Sequence, residues 1–332
     1  MIKIAHIYAS NAKINSGDFM IGISTKKYFK EKILKTDKEI KFTNLDCRKK
    51  ELFNNSSKLN CYDYIIVGSG GLILPDSSPN KISCWQWLIH KNVINNIVKP
   101  IYVISIGWNL FFGQNMNMIK RENNYQDKTR LNIFKENITV LIKKSKHFTL
   151  RHNSDVNNLL NIVGQEYKEK VKYEMCPTVW YVNKYWKSQI NPINQKYIAI
   201  EIKDDRQWRR YHKIGMNNYY NKLLQFVKKC INEKKPILYL SHDGSRSFYD
   251  FLRRNKVNIP FLNNNSGNEK KILDNYSKIH TIYCSAGHSQ MMSYGLGIKI
   301  ISLISHPKLK NFCDDIGDKN GIDINNDIEK LI

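Results

Sequence analysis

The stretch from Tyr283 to Lys308 constrains the fold more than any other part of the chain. An apolar strand is followed there by a loop that presents His288, then by a helix and by a second apolar strand. This order is typical of an open parallel sheet, which places polar residues at the ends of its strands. His288 is predicted at or just before a helix N-terminus, where the helix field favours an anion. An imidazole beside an anion indicates group-transfer chemistry; a capping or core-edge histidine is the alternative.

Length and composition predict one large α/β domain or two smaller domains. The chain has 332 residues, of which 42% are hydrophobic and 11% aromatic, enough for a full core. No stretch approaches the roughly 18 to 20 uninterrupted apolar residues of a membrane span, and Met1 leads directly into a strand, so no signal peptide is expected. The seven cysteines form no Cys-x-x-Cys pair, which argues against a zinc site and a disulfide framework and favours a reducing cytoplasm. We expect no metal and no cofactor.

The net charge of +24 comes from 53 basic and 29 acidic residues. Such an excess favours an anionic partner, which could be an acidic substrate, an anionic membrane surface or nucleic acid. Nucleic acid is the least favoured of the three. The alternative is compositional drift, because the codons of AT-rich genomes enrich Lys and Asn. The charge therefore indicates a class of partner without naming one.

Strands and helices alternate from the start of the chain, which is typical of βαβ units and a mainly parallel sheet. The strands predicted in the first half are residues 3–8, 41–45, 62–68, 101–106 and 147–151. The predicted helices are residues 19–34, 83–98 and 131–145.

A polar segment at residues 183–195 is predicted to be a linker, since the alternation starts again after it. The strands predicted beyond it are 197–202, 237–240 and 281–284, and the helices are 219–231, 247–254 and 269–277. We therefore expect an α/β fold with two Rossmann-like domains facing a cleft, residues 1–185 and 196–332. The segment 206–220, rich in Arg, Trp and Tyr, is interpreted as a long exposed insertion.

Three predicted strand ends of the first half carry glycine together with a polar residue. The turn Asn15-Ser-Gly17-Asp18 follows the first strand, and Asp18 could cap the next helix. Gly70 and Gly71 close the cluster Gly68-Ser-Gly-Gly71, where a ligand could approach the backbone, although the dinucleotide fingerprint is incomplete. Gly107-Trp-Asn109 ends a third strand. Together they predict a ligand edge of the sheet.

Basic residues follow other predicted strands. Arg151 ends the strand Phe148-Thr-Leu-Arg, and Lys308 and Lys310 follow the last core strand. Cations at a sheet's ligand edge suit carboxylate or phosphate, but each could also be an ordinary surface residue. His242-Asp243 could be an acid–base pair or a plain loop. The sequence contains no Gly-x-Ser-x-Gly elbow, Walker loop or His-Glu-x-x-His motif.

These pieces, in this order, resemble the polysaccharide pyruvyl transferase family over most of the chain. The family opens with a strand and an Asn-x-Gly-Asp-type turn, continues with a strand into a glycine cluster, and has a strand that ends in Arg before a Ser-containing helix start. Near its C-terminus it has a Ser-x-Arg-x-His-like loop, a helix with a Gly, an apolar strand, and a Lys followed by Phe and Gly. The corresponding segments here are Asn15–Asp18, Asp63–Gly71, Arg151 with Ser154, Cys284–His288, and Lys308 or Lys310 with Phe312 and Gly317.

The resemblance implies a fold similar to GT-B glycosyltransferases and transfer of a pyruvate ketal from phosphoenolpyruvate to a sugar. It implies that the first domain is the acceptor side and the second the donor side. The catalytic residues would be His288, as general acid, and Asp18. For the donor, the resemblance implies Arg151, while the loop-to-helix geometry adds Ser289, Lys308 and Lys310. The acceptor side of the cleft is predicted to be formed by Asn15, Gly17, Gly70, Gly71 and Asn109.

Two positions depart from the family pattern. Ala286 stands where the family has the Arg that is expected to hold phosphoenolpyruvate, and Cys176-Pro177 stands where Asp-Pro is common. Three functions therefore remain open. They are a pyruvyl transferase whose missing charge comes from Arg151, Lys308 or Lys310, a GT-B glycosyltransferase that uses a nucleotide sugar, and an inactive binding protein. The acceptor could be a lipid-linked sugar, with the protein in the cytoplasm at the inner face of an anionic membrane.

Overall fold

The structure is a computed structural model that describes residues 1–10, 15–77, 79–118 and 127–331. Its chain forms two compact units, one of residues 1–11 and 21–177 and the other of residues 12–20 and 178–332. The predicted linker, residues 183–195, lies within the second unit. Each unit is built around one parallel sheet, so the predicted α/β class with two Rossmann-like domains is confirmed.

The sheet of the first unit has six parallel strands in the order β2-β1-β3-β4-β5-β6. They are β1 (Ile2–Tyr8), β2 (Ile40–Asp46), β3 (Tyr64–Ile73), β4 (Ile101–Trp108), β5 (Ser145–Leu150) and β6 (Val171–Tyr173). The strand order reverses between β1 and β3. In open α/β sheets such a reversal leaves a crevice at the carboxyl ends of the strands, where ligands bind.

The sheet of the second unit also has six parallel strands, in the order β12-β11-β10-β7-β8-β9. They are β7 (Tyr197–Glu201), β8 (Ile237–Ser241), β9 (Phe261–Asn263), β10 (Ile279–Cys284), β11 (Lys299–Ile304) and β12 (Ile322–Asp323). With β7 counted as the first strand of the unit, this is the strand order of the Rossmann fold, in which the first and fourth strands are neighbours. Its reversal lies between β7 and β10, which pair directly, and the crevice is therefore expected beyond Glu201 and Cys284.

Helices connect the strands, as parallel pairing requires. They are α1 (Ser16–Tyr28), α2 (Ser57–Asn60), α3 (Lys91–Asn95), α4 (Thr129–Lys144), α5 (Asn153–Val163), α6 (Pro177–Tyr185), α7 (Gln207–Arg210), α8 (Met216–Asn232), α9 (Ser247–Arg254), α10 (Glu269–Tyr276), α11 (Gly287–Leu296) and α12 (Pro307–Ile316). A π-helical turn, residues 29–34, extends α1, and in the described part of the chain 3-10 turns cover residues 50–52, 165–167, 187–189, 192–194 and 328–331. None of the helices in the described ranges is long and apolar enough to cross a membrane.

The predicted helix at residues 83–98 is wrong, because only its last part, α3, is helical. The side chain of Asn80 accepts hydrogen bonds from the backbone N–H groups of Ile82, Ser83 and Cys84, and so holds an irregular loop. Trp85 and Trp87 are both fully buried and meet edge to face. Burial of alternate indole rings outweighs the helical spacing that the sequence suggested.

Two other expectations need correction. The segment 206–220 is not an exposed insertion, since Arg210, Tyr211 and Tyr219 are almost fully buried and the segment includes α7 and the start of α8. Strand β3 does not end at Gly68 but continues through the glycine cluster to Ile73. In both places the deciding factor is packing against neighbours that are distant in sequence.

Candidate functional site

The loops that follow β7 and β10 form the centre of the candidate site in the second unit. The backbone N–H of Ser285, directly after β10, donates to the carbonyl of Glu201 at 3.0 Å. The N–H of Lys203 donates to Ser285 Oγ at 2.7 Å. These contacts lie at the point where the strand order reverses, which is the expected ligand position of a Rossmann sheet.

His288 lies in the first turn of α11, as the sequence predicted. Ala286 is the residue before the helix, and Gly287 is its first residue. A Cβ added to Gly17 would overlap the imidazole ring of His288, so this ring packs directly on the backbone of α1. The structure therefore brings together the Asn15–Asp18 turn and His288 within the second unit.

The start of α1 is capped by Asn15. Asn15 Oδ1 accepts a hydrogen bond from the N–H of Gly17 at 2.9 Å, and its carbonyl accepts from Phe19 at 3.1 Å. Asp18 lies inside the first helical turn and is partly exposed, where its charge is favourable to the helix dipole.

His242, directly after β8, lies next to His288, with 5.8 Å between the ring centroids. Its backbone carbonyl accepts a hydrogen bond from Ser16 Oγ at 2.5 Å, and its Nδ1 lies 3.4 Å from the hydroxyl of Tyr276. Burial lowers the pKa of His242 to about 4, because the charged imidazolium would lose its hydration. A neutral second imidazole therefore lies beside the predicted general acid.

Glu201 is fully buried below the loop that leads to His288. Its Oε2 accepts hydrogen bonds from the N–H groups of Ser285, at 3.1 Å, and Ala286, at 2.9 Å. Burial raises the pKa of Glu201 to about 7, and nearby Asp243 adds to this effect while Lys203 opposes it. A carboxyl group that titrates near neutral pH is characteristic of functional sites.

Two ion pairs surround this carboxyl group. Lys203 forms an ion pair with Asp243, and although burial opposes ionisation of both, their attraction raises the pKa of Lys203 and lowers that of Asp243. Arg210 is buried and donates to Asp205 Oδ1 through Nη2 at 2.9 Å and to Ser305 Oγ at 3.1 Å. Burial opposes ionisation of Asp205 too, but Arg210 and Lys203 hold the pKa of that carboxyl well below its usual range.

The three other donor residues predicted for this unit differ in position. The methylene carbons of Lys308 lie over Gly287, since Cε would be 3.5 Å from a Cβ added there. Ser289 is fully buried in the first turn of α11. Lys310 lies on the exposed side of α12, where it pairs with Asp314 at 2.6 Å. The structure thus brings Lys308, but not Lys310, to the start of the helix that carries His288.

The first unit has its own group of predicted residues at the ends of β3, β4 and β5. A Cβ added to Gly71 would lie 2.9 Å from the side-chain amide of Asn109. A Cβ added to Gly107 would lie 3.5 Å from the carbonyl oxygen of Gly70 and 3.7 Å from Cζ of Arg151. The guanidinium of Arg151 therefore lies on a surface made of glycine backbone.

Arg151 is 5% exposed, and its Nε and Nη2 have no hydrogen-bond partner among the described residues. Ser154 Oγ, at the start of α5, is likewise buried without a partner in that part of the chain. Buried charges in proteins are normally paired, because an unpaired one is costly. This turn is consequently the place in the first unit best suited to an anion.

The sequence analysis did not identify Glu201 or Lys203 and favoured a plain loop for His242. One signal was available for Glu201, which interrupts the apolar run Tyr197-Ile-Ala-Ile-Glu-Ile202. A charge inside a buried parallel strand needs partners, and the partners here come from other strands. Within the residues that the structure describes, no group of three His, Cys, Asp or Glu side chains is arranged to hold a metal ion.

The sequence model of one family, described as polysaccharide pyruvyl transferase, matches residues 15–307. No curated protein matches the sequence. The structure is similar to that of S. aureus MnaA with UDP, with a TM-score of 0.56 and 11% identity over 100% of this chain and 86% of the other.

It is also similar to UDP-GlcNAc 2-epimerase from Neisseria meningitidis bound to UDP-GlcNAc, with a TM-score of 0.54 and 14% identity over 100% of this chain and 90% of the other. The corresponding enzyme from Methanocaldococcus jannaschii, in complex with UDP-GlcNAc and UDP, has a TM-score of 0.52 and 12% identity over 100% and 91%. At such low identity these similarities concern the fold alone. They confirm the GT-B-like class that the sequence predicted.

Proposed function

The chain belongs to the polysaccharide pyruvyl transferase family and is a transferase, and on this premise we propose that it transfers a pyruvate ketal from phosphoenolpyruvate to a sugar of a cell-surface glycan or its precursor. The observation that carries the proposal is the contact of Lys308 with Gly287, one residue before His288. The side chain of a basic residue thus runs along the start of the helix whose first turn carries His288. This combination suits a phosphate group that leaves during the reaction.

The donor would be held by cations, since Ala286 cannot supply charge. Lys308 would bind the phosphate together with the N-terminal turn of α11, in which Ser289 lies. Arg151, in the first unit, is the other cation proposed for anion binding, and its buried Nε and Nη2 without a partner among the described residues support this role. Lys310 is a weaker member of the donor set, because Asp314 already pairs with it.

The reaction forms two new C–O bonds at C2 of phosphoenolpyruvate. Two hydroxyls of the sugar attack C2 of phosphoenolpyruvate, and the bond from C2 to the phosphate oxygen breaks. Of the two hydroxyl protons released, one balances the proton added to the methylene carbon, and the other leaves with inorganic phosphate. His288 would supply the proton to the methylene carbon, and Asp18 would accept one from an attacking hydroxyl.

The acceptor would be bound at the glycine and asparagine residues that follow strands of the first unit and that open α1. The residues proposed for this role are Gly70, Gly71 and Asn109 in the first unit and Asn15 and Gly17 in the second. A lipid-linked acceptor at the cytoplasmic face of an anionic membrane would make use of the net charge of +24. Nucleic acid is the less favoured acceptor.

The test is incubation of the purified protein with phosphoenolpyruvate and a panel of glycan acceptors. We expect release of inorganic phosphate and a product whose mass corresponds to the added ketal. His288→Ala should lower the rate at least about 100-fold, because a general acid contributes roughly that much. His212→Ala, the same change at an exposed histidine, is the matched control and should leave the rate unchanged. A near wild-type rate for His288→Ala would remove this residue from the mechanism.

A second candidate function is glycosyl transfer from a nucleotide sugar. Two observations favour it, namely Ala286 in place of the family's Arg and the similarity of the fold to proteins whose structures contain UDP or UDP-GlcNAc. Binding of a UDP-sugar without binding of phosphoenolpyruvate would decide for it. If neither compound raises the melting temperature, the third function, an inactive binding protein, is supported.

A further inference from the structure

The carboxyl group of Glu201 is bonded to the His288 loop in an asymmetric way. Both hydrogen bonds from the loop, from the N–H groups of Ser285 and Ala286, end on Oε2. Oε1 is buried and has no hydrogen-bond partner among the described residues. A proton can therefore bind to Oε1 while Oε2 continues to accept both bonds. Protonation would remove the negative charge and leave the loop in place.

The charges around Glu201 leave it as an unpaired anion. Lys203 is paired with Asp243, and Arg210 is paired with Asp205. Each cation that faces Glu201 is thus already paired with another carboxylate, and the local charge of the two pairs is balanced. The charged and titratable groups that act electrostatically on this carboxyl, among the described residues, include Lys203, Arg210, Tyr219, Tyr239, Asp243, Tyr276 and Cys284.

The tyrosines and Cys284 stay neutral at physiological pH, because burial raises the pKa of each. Among these groups, Glu201 is the one whose pKa lies near neutral, at about 7. Its Oε2 accepts the hydrogen bonds of the N–H groups of residues 285 and 286, which directly precede the first turn of α11. An anion bound at that turn would meet a like charge inside a buried crevice, which is costly.

We propose that Glu201 is a positioning residue that takes up one proton when the anionic donor binds, so that the loop below His288 keeps its hydrogen bonds while its negative charge is removed. The inference rests on the proposed function, since it assumes an anionic donor at the start of α11. It adds a residue that acts through the loop and does not itself touch the donor.

Calorimetric titration with phosphoenolpyruvate tests the proposal. The measurement is made at pH 7.5 in buffers with different enthalpies of ionisation, which gives the number of protons taken up per donor bound. For each donor bound, the wild type should take up more protons than Glu201→Gln, with a difference of up to about one proton. The glutamine keeps an acceptor oxygen for the loop but carries no charge. Ionisation of the free donor is common to both titrations and cancels in the comparison.

The dissociation constant gives a second measure. Between pH 7 and 8.5 the dissociation constant of the wild type should rise with pH more steeply than the dissociation constant of Glu201→Gln. The difference in slope should be up to about tenfold per pH unit. Glu201→Ala, which loses the loop's acceptor, should bind the donor weakly at every pH. Carbon-13 NMR of the glutamate carboxyl groups in the wild type, with and without donor, gives the same answer without any substitution.

Equal proton uptake by the wild type and Glu201→Gln, with phosphoenolpyruvate bound to both, would overturn this inference and leave the proposed function intact. Absence of any binding of phosphoenolpyruvate would overturn the proposed donor instead. The same pair of titrations with UDP-GlcNAc then tests the inference, because the diphosphate of that compound is also anionic. A difference in proton uptake of up to about one proton supports the inference, and equal proton uptake or no binding overturns it.

Discussion

Replacement of Gly17 by alanine should separate the activity of this protein from its stability. Gly17 is the second residue of α1, where alanine is a better helix former than glycine by up to about 1 kcal/mol, so the substitution by itself favours the helix. The added Cβ, however, would overlap the imidazole of His288, and even Cε1 of that ring would be only 2.6 Å away. Since carbon atoms pack at about 3.5 to 4.0 Å, the ring has to retreat by roughly 1 Å or more.

A displacement of about 1 Å at a reacting group can cost on the order of 100-fold in rate. We therefore expect Gly17→Ala to lower kcat by about that factor, while the melting temperature stays within a few degrees of the wild type, because the helix gain offsets the local repacking. Phosphate release and thermal unfolding measure the two quantities. Gly267→Ala is the matched control, because its Cβ would lie 4.0 Å from the nearest atom, Cε2 of Phe19. A wild-type rate for Gly17→Ala would show that the position of His288 does not govern turnover.

Three further substitutions test the charges of the site. Lys308→Met should raise KM for phosphoenolpyruvate about tenfold or more through loss of a charge-assisted contact, whereas Lys319→Met, at an exposed lysine, should leave KM unchanged in the same assay. Arg151→Met removes a buried charge without a partner in the described chain, so calorimetry should show an equal or higher melting temperature although KM rises. Folding raises the pKa of Glu201 to about 7, so the wild type loses stability as the pH rises from about 5 to 7. Glu201→Gln has no such loss. The difference in melting temperature, Glu201→Gln minus wild type, should therefore increase between about pH 5 and 7 and stay constant above about pH 7.

Much of the fold follows from periodicity in the sequence. Helix α9 was predicted with its observed bounds, and strands such as β8 were predicted to within one residue, because short apolar runs and amphipathic spacing reflect local structure. The helix predicted at residues 83–98 failed because Asn80 and the buried Trp85 and Trp87 act through contacts with other parts of the chain. Periodicity alone carries no information about such contacts.

Site residues could be predicted from the sequence only where a chemically suitable residue directly follows a recognisable strand. His288 and Arg151 follow recognisable strands, and the structure places both at carboxyl edges of the sheets. Glu201 and Lys203 lie equally close to a strand end, but their importance depends on residues 285 and 286, which pair with them only through the strand order β10-β7. A sequence without alignment does not reveal that order.

The adjacency of β7 and β10 has a consequence for how the protein reaches its native state. Tyr197 pairs with Ile279, and helices α7 to α10 lie between them in the chain. Such a distant pairing pays a large loop-closure entropy before it gains contacts, and parallel sheets of this kind form slowly. The crevice that holds His288 does not exist until this pairing is made. In a refolding experiment, helical circular dichroism should therefore recover well before enzymatic activity, and the slow step should be the one that creates the site.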